Sequence, residues 1–285
     1  MARVSALDEY KTQMLDSDWY PPSPRRLRDF RGEVVDKLGT PLSRAVVASA
    51  ARFLTTDPVT DPRAAALHAE AWLAQLQGDL RHATLYHVDE RVCAMIAGAG
   101  GATEPVVLRP DMVPARHGLA VCAWPVAFTR TTQPRFDLVA VSWSPSRDQT
   151  LRDGGVDVTF WAAPTRHVRR HFTSVAAEAE TGDVLLTRRG WRQQVGPLVL
   201  LNQVACGYGT HQRNRPPDDL GGFLRAAQAL FDAASTVGRV RAEPVAARRG
   251  GWWRAGPAPA DTEAYRLRWV SRGGAADHDP HPAQP

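Results

Sequence analysis

The sequence predicts an α+β fold: an N-terminal helical layer packed on a mainly antiparallel sheet, with a long amphipathic helix late in the chain. Three observations carry this. Apolar residues recur at helical spacing through the first hundred residues. From Val106 the pattern changes to short runs rich in β-branched and aromatic residues. Leu220, Phe223, Leu224, Ala227, Phe231 and Ala234 then form an unbroken apolar face, predicting a helix over about residues 219–235. At 285 residues the chain is long enough for one large domain with its own core. It divides into an N-terminal arm over residues 1–39, a single α+β domain over 40–272 and a disordered tail over 273–285.

The elements follow in order. Tyr20-Pro21-Pro22-Ser23-Pro24 is stiff and extended, so it reads as part of the arm, with Asp18-Trp19-Tyr20 able to pin it to the body. Thr40-Pro41 starts a helix, a capping hydroxyl followed by proline in the first turn. Leu42, Val46, Ala50 and Phe53 give its stripe, and Asp57-Pro58 closes it. Asp61-Pro62 repeats the start signal. Ala65, Ala69, Trp72 and Leu76 form the second stripe, which Gly78 is expected to end. The two helices read as an antiparallel pair. Ala83 to Val88 reads as a strand, and Asp89 caps a helix carrying Val92, Met95, Ile96 and Ala99. Leu119–Val126, Phe136–Trp143 and Val156–Trp161 read as strands of an antiparallel meander, with a turn at Asp153-Gly154. Further on, Thr165 to Glu180 is expected to be helical. Asp183–Thr187, Leu198–Val204, Arg239–Ala246 and Tyr265–Val270 are expected strands, and Cys206–Pro217 a loop before a helix capped by Asp218.

One stretch carries a resemblance. Ala83-Thr84-Leu85-Tyr86-His87-Val88-Asp89-Glu90-Arg91-Val92 leads on to Leu108-Arg109-Pro110-Asp111-Met112-Val113-Pro114-Ala115-Arg116-His117-Gly118-Leu119. With the late helix and arginine-rich strand from Phe223 to Arg249 and Tyr265 to Arg272, this resembles a group of uncharacterised actinobacterial proteins often encoded near plasmid or phage genes. The resemblance implies the order of the fold elements and no activity. The group's C-terminal basic run is denser than Ala246-Ala247-Arg248-Arg249-Gly250.

Composition bounds the function. With 44% hydrophobic and 23% charged residues, wholesale disorder and collagen-like order are excluded. No apolar run is long enough to cross a bilayer as a helix, so no membrane partner is expected. Lys11 and Lys37 are the only lysines against 33 arginines, a skew we attribute chiefly to codon bias. Residues 1–160 hold 18 basic and 19 acidic side chains, whereas residues 161–285 hold 17 and 11, so an anionic partner would be drawn to the second half. Cys93, Cys122 and Cys206 are far apart and form no CxxC pair, and no secretory leader is legible, which fits a reducing cytoplasm.

The strongest candidate site is the basic, aromatic segment from Arg239 to Arg254. Arg239, Arg241, Arg248, Arg249 and Arg254 face a single acid, Glu243, and Trp252 and Trp253 are adjacent. Arginines neutralise phosphates and tryptophans stack on unpaired bases. Its bland reading, a solvated hairpin with tryptophans packed back on the core, carries more weight from sequence alone. His167 and His171 share helical spacing, but three neighbouring arginines repel a cation and no metal site is expected. Cys206 and His211 lie together in a glycine-rich stretch, the minimum for nucleophilic catalysis. Asp137, Asp153 and Asp157 flank strands and would need the fold to bring them together. The expectation is a cytoplasmic accessory or interaction protein without a cofactor, its partner a protein or a nucleic acid contacted weakly through the basic C-terminal half. The alternative is a small hydrolase or transferase built on the Cys206–His211 loop.

Overall fold

The structure, a computed structural model, describes residues 19–53, 60–100, 105–129, 135–165, 168, 196–209, 219–235, 240–245 and 263–270. It is α+β, with helices and one mixed eight-stranded sheet. The helices are α1 (Leu27–Leu38), α2 (Pro41–Phe53), α3 (Pro62–Arg81), α4 (Glu90–Gly100) and α5 (Asp219–Ser235). The strands are β1 (Thr84–Val88), β2 (Gly118–Cys122), β3 (Ala127–Phe128), β4 (Asp137–Pro145), β5 (Gly155–Ala162), β6 (Val199–Gly207), β7 (Val240–Pro244) and β8 (Ala264–Trp269). Their order across the sheet is β6-β5-β4-β2-β1-β8-β7, with β3 paired to β4 beside this path.

Alternation along the strands divides the core into two layers. Leu85, Leu119, Val121, Val139 and Trp161 pack with α1, α2 and α3 on one face. Tyr86, Val88, Ala120, Cys122, Val141, Trp143 and Phe160 pack with α4 and α5 on the other. The β2–β4–β5 meander is antiparallel throughout, and Gly154 turns the chain into β5 with φ of 72°. Gly118 is required by close approach, since a Cβ there would fall inside the Trp143 ring.

The cap chemistry is present where the sequence places it. The Asp61 carboxylate accepts from the Arg63 and Ala64 amides at 3.1 and 3.3 Å, and Thr40 Oγ1 accepts from the Ser43 amide at 3.4 Å. The two helices started by these caps pack on each other.

The structure corrects several expectations. Within the stretch read as an arm, residues 27–38 form α1. Leu27, Phe30, Val34, Val35 and Leu38 recur at helical spacing and are buried, which outweighs the extended Pro-rich lead-in. α3 runs through Gly78 to Arg81, because Leu80 is buried and Arg31 reaches the helix end, donating to the Arg81 carbonyl at 2.9 Å. The strand expected over Leu119–Val126 stops at Cys122, with Pro125 breaking the run before β3. β6 extends to Gly207, so Cys206 belongs to a strand. The sheet is mainly antiparallel, as expected, in five of its seven strand pairs, and β1 is parallel to both of its neighbours, β2 and β8. The expected helix over Thr165–Glu180, apart from Thr165 and Val168, the strand over Asp183–Thr187, the Asp218 cap and the tail over 273–285 lie outside the described residues.

Candidate nucleic-acid interface

The β7–β8 hairpin forms one edge of the sheet. In β8, Tyr265, Leu267 and Trp269 turn toward the α4–α5 layer, so Arg266 and Arg268 share the opposite face with Ala264. Arg241 of β7 stands directly opposite Arg268, and Glu243 directly opposite Arg266. Both Arg241 and Arg268 are exposed. Their Cβ atoms are about 5 Å apart at such a position, and like charges placed so destabilise the pairing. Neither forms an ion pair among the described residues.

Arg266 is engaged. Its Nε donates to the Asp89 carboxylate at 2.8 and 3.0 Å, and this bond raises its already high pKa. Asp89 sits between the end of β1 and the first turn of α4. On the other side of Arg266, in register, lies His87. The His87 ring is buried, and burial holds its pKa below 6.5, with Asp89 opposing that shift. Its Nδ1 is 3.4 Å from Asp89 Oδ1 but not aligned for a hydrogen bond. The ring also bonds the Pro22 backbone, and Trp19 Nε1 donates to the Cys122 carbonyl at 2.8 Å. These contacts pin the Pro-rich segment beside the hairpin. Beneath, Tyr86 stacks on Tyr265 at 5.8 Å and on Trp143 at 5.6 Å, fixing β8 to β1 from the core side.

Of the seven residues the sequence nominates for nucleic acid, Arg241 is placed on this hairpin. Arg239, Arg248, Arg249, Trp252, Trp253 and Arg254 lie outside the described residues. In the chain, all of these but Arg239 fall between β7 and β8. Arg266 and Arg268 were missed, although Tyr265-Arg266-Leu267-Arg268-Trp269 alternates apolar and basic residues in the manner of a half-buried strand.

The Cys206 nucleophile reading meets a different environment. Cys206 is fully buried among the residues of the α4–α5 layer, and burial pushes its thiol up to about 12. It is therefore protonated and inert at neutral pH. His211 lies outside the described residues, as do His167 and His171. The three aspartates do not converge. Asp157 stands opposite Ser144 on β4, seven residues along that strand from Asp137, or about 23 Å. Asp137 instead accepts from Arg135 Nε at 2.7 Å.

A second polar cluster was not foreseen, because its members are scattered along the sequence. Asp79, at the end of α3, lies 3.5 Å from His117 Nδ1 and 3.4 Å from an Arg147 amino group. Nearby, Asp157 accepts from the Ser146 hydroxyl at 2.6 Å, and burial raises its pKa. Burial lowers the pKa of His117. Such a set can move a proton, but among the described residues no hydrogen bond ties a hydroxyl or thiol to His117. Among the described residues no three His, Cys, Asp or Glu side chains converge as metal ligands, and no helix is long and apolar enough to cross a membrane.

Comparison with family models, with curated proteins and with solved structures returned no match.

Proposed function

We propose that the protein is a cytoplasmic accessory protein that contacts nucleic acid through the exposed face of the β7–β8 hairpin. The observation that supports this most directly is the cross-strand pair Arg241–Arg268, two exposed cations held opposite each other with no carboxylate partner among the described residues. A phosphate between them relieves the repulsion and accepts from both guanidinium forks. The chain joining the two strands adds Arg248, Arg249 and Arg254, with Trp252 and Trp253 able to stack on unpaired bases. The resemblance to proteins encoded beside plasmid and phage genes suits this setting. The three free, buried cysteines suit a reducing compartment.

Fluorescence anisotropy with short single-stranded and duplex oligonucleotides over a salt series tests the reading. Binding is expected to be weak, in the range of about 10⁻⁴–10⁻⁶ M at physiological salt, and to fall linearly with log salt. Changing both Arg241 and Arg268 to Ala should flatten that slope by about one to two units, at about 0.7 per single-strand phosphate. Changing Trp252 and Trp253 to Ala should weaken single-strand binding more than duplex binding. Absence of binding at about 50 mM salt, or an unchanged slope in the arginine variant, overturns it.

A further inference from the structure

The Pro-rich segment ahead of α1 takes a conformation that its sequence dictates. Pro21, Pro22 and Pro24 each fix φ at about −65°. Tyr20, Pro21 and Ser23 each precede a proline, which drives ψ toward about +120 to +160°. Together these constraints specify polyproline II, and Ser23 holds it with φ of −64° and ψ of 155°. That helix has about three residues per turn. Trp19 and Pro22 therefore fall on one edge, Tyr20 and Ser23 on a second and Pro21 on a third. The burial follows this division. Trp19 and Pro22 are half-buried, whereas Tyr20, Pro21 and Ser23 are exposed. At 86% exposure, Tyr20 is the most exposed large apolar side chain among the described residues.

Both ends of this ribbon are tied down. Trp19 Nε1 donates to the Cys122 carbonyl at 2.8 Å, and the Trp19 ring meets Phe30 edge-on, with centroids 6.3 Å apart. The His87 ring bonds the Pro22 backbone. At the far end the Ser23 carbonyl accepts from the Arg26 amide at 2.9 Å, closing the single 3₁₀ turn that leads into α1. Arg25 and Arg26 of that turn are exposed. Arg26 forms an open ion pair with Glu33 at 3.8 Å, and Arg25 forms none among the described residues.

We propose that residues 20–26 are a docking ligand for a partner domain that reads polyproline II through a groove lined with aromatic side chains and flanked by carboxylates. Tyr20, Pro21 and the outer edge of Pro24 enter the groove, while Trp19 and Pro22 stay on the body. Pro21 and Pro24 have the PxxP spacing that such grooves read. Arg25 and Arg26, which follow, meet the flanking carboxylates. The ribbon is ordered before it binds, so association forgoes little conformational freedom. A tyrosine ring held in water on a rigid backbone is the kind of side chain that anchors an interface. This proposal does not depend on the nucleic-acid reading, which rests on Arg241 and Arg268 of the hairpin.

Isothermal titration calorimetry of the full chain with three purified probe domains of this class, an SH3, a WW and an EVH1 domain, tests it. The SH3 domain is chosen with carboxylates flanking its groove. At least one of the three should bind saturably at a single site. Tyr20→Ala and Pro21→Ala, both at exposed positions, should each weaken that binding about tenfold or more, the loss expected of an anchor. Changing Arg25 and Arg26 together to Ala should weaken it about two- to fivefold, as for exposed ion pairs. Changing Arg241 and Arg268 together to Ala should leave it unaltered. Failure of all three domains to bind overturns the proposal. So does binding that survives Tyr20→Ala and Pro21→Ala undiminished, or that the hairpin variant abolishes. If Tyr20→Ala weakens binding of a short single-stranded oligonucleotide and leaves the domains unaffected, the ring belongs to the nucleic-acid surface and the proposal falls.

Discussion

His87 shows how one ring can couple the interior to pH. It is buried between the Pro22 backbone and Asp89, with Arg266 opposite it in register. Desolvation holds its proton affinity below that of an unfolded histidine, whose pKa is 6.5. The unfolded chain therefore binds more protons than the folded one as pH falls below that value. Stability should be full above 6.5 and decline as the pH falls below it. His117 is shifted in the same direction and adds to the decline. Urea titrations across that range should show a shallower decline in His87→Gln than in the wild type, and an identical decline in both would refute the assignment. Neither histidine's role was legible in the sequence. His87 reads there as an ordinary strand residue, because Pro22, Asp89 and Arg266 meet it only once the sheet has formed. The exposed Arg241, by contrast, was legible, since charge and strand alternation are local properties.

Elements were legible in proportion to how local their causes are. The α2 and α3 starts were readable because Thr40-Pro41 and Asp61-Pro62 cap within three residues. The end of α3 was not, because the group that sustains it is Arg31, some fifty residues away in sequence. α1 carried a clear stripe that the preceding prolines obscured. α5 packs on α4 and places Phe231 against Trp143, with ring centroids 5.0 Å apart and the planes near perpendicular. Phe231 is fully buried, so Phe231→Ala should cost about 3–5 kcal/mol in a denaturant titration. A loss below about 1 kcal/mol would mean that this face collapses to fill the void or does not form core.

At the scale of the molecule, Arg241, Arg266 and Arg268 stand at one sheet edge, while an apolar cavity lies at the other. Sequence gave no sign of the parallel pairs at the centre, because strand direction is decided by partners far apart in the chain. That arrangement has a consequence for synthesis. β8 pairs with β1 although about 180 residues separate them, and β7 reaches the sheet only through β8. While the ribosome is still building the chain, β1 presents an open edge and Tyr86 lacks its stacking partner Tyr265. The loop closed by this pairing is long, so it forms late and slowly. Stalled nascent chains that end before Ala264 should stay sensitive to protease within β1 and α4, and chains extended well past Trp269 should become resistant. Equal resistance in both would show that the β1 half of the sheet folds without its last strand. Until that strand emerges, β1 is a template for pairing with another chain, so the growing polypeptide is most exposed to aggregation just before β8 is made.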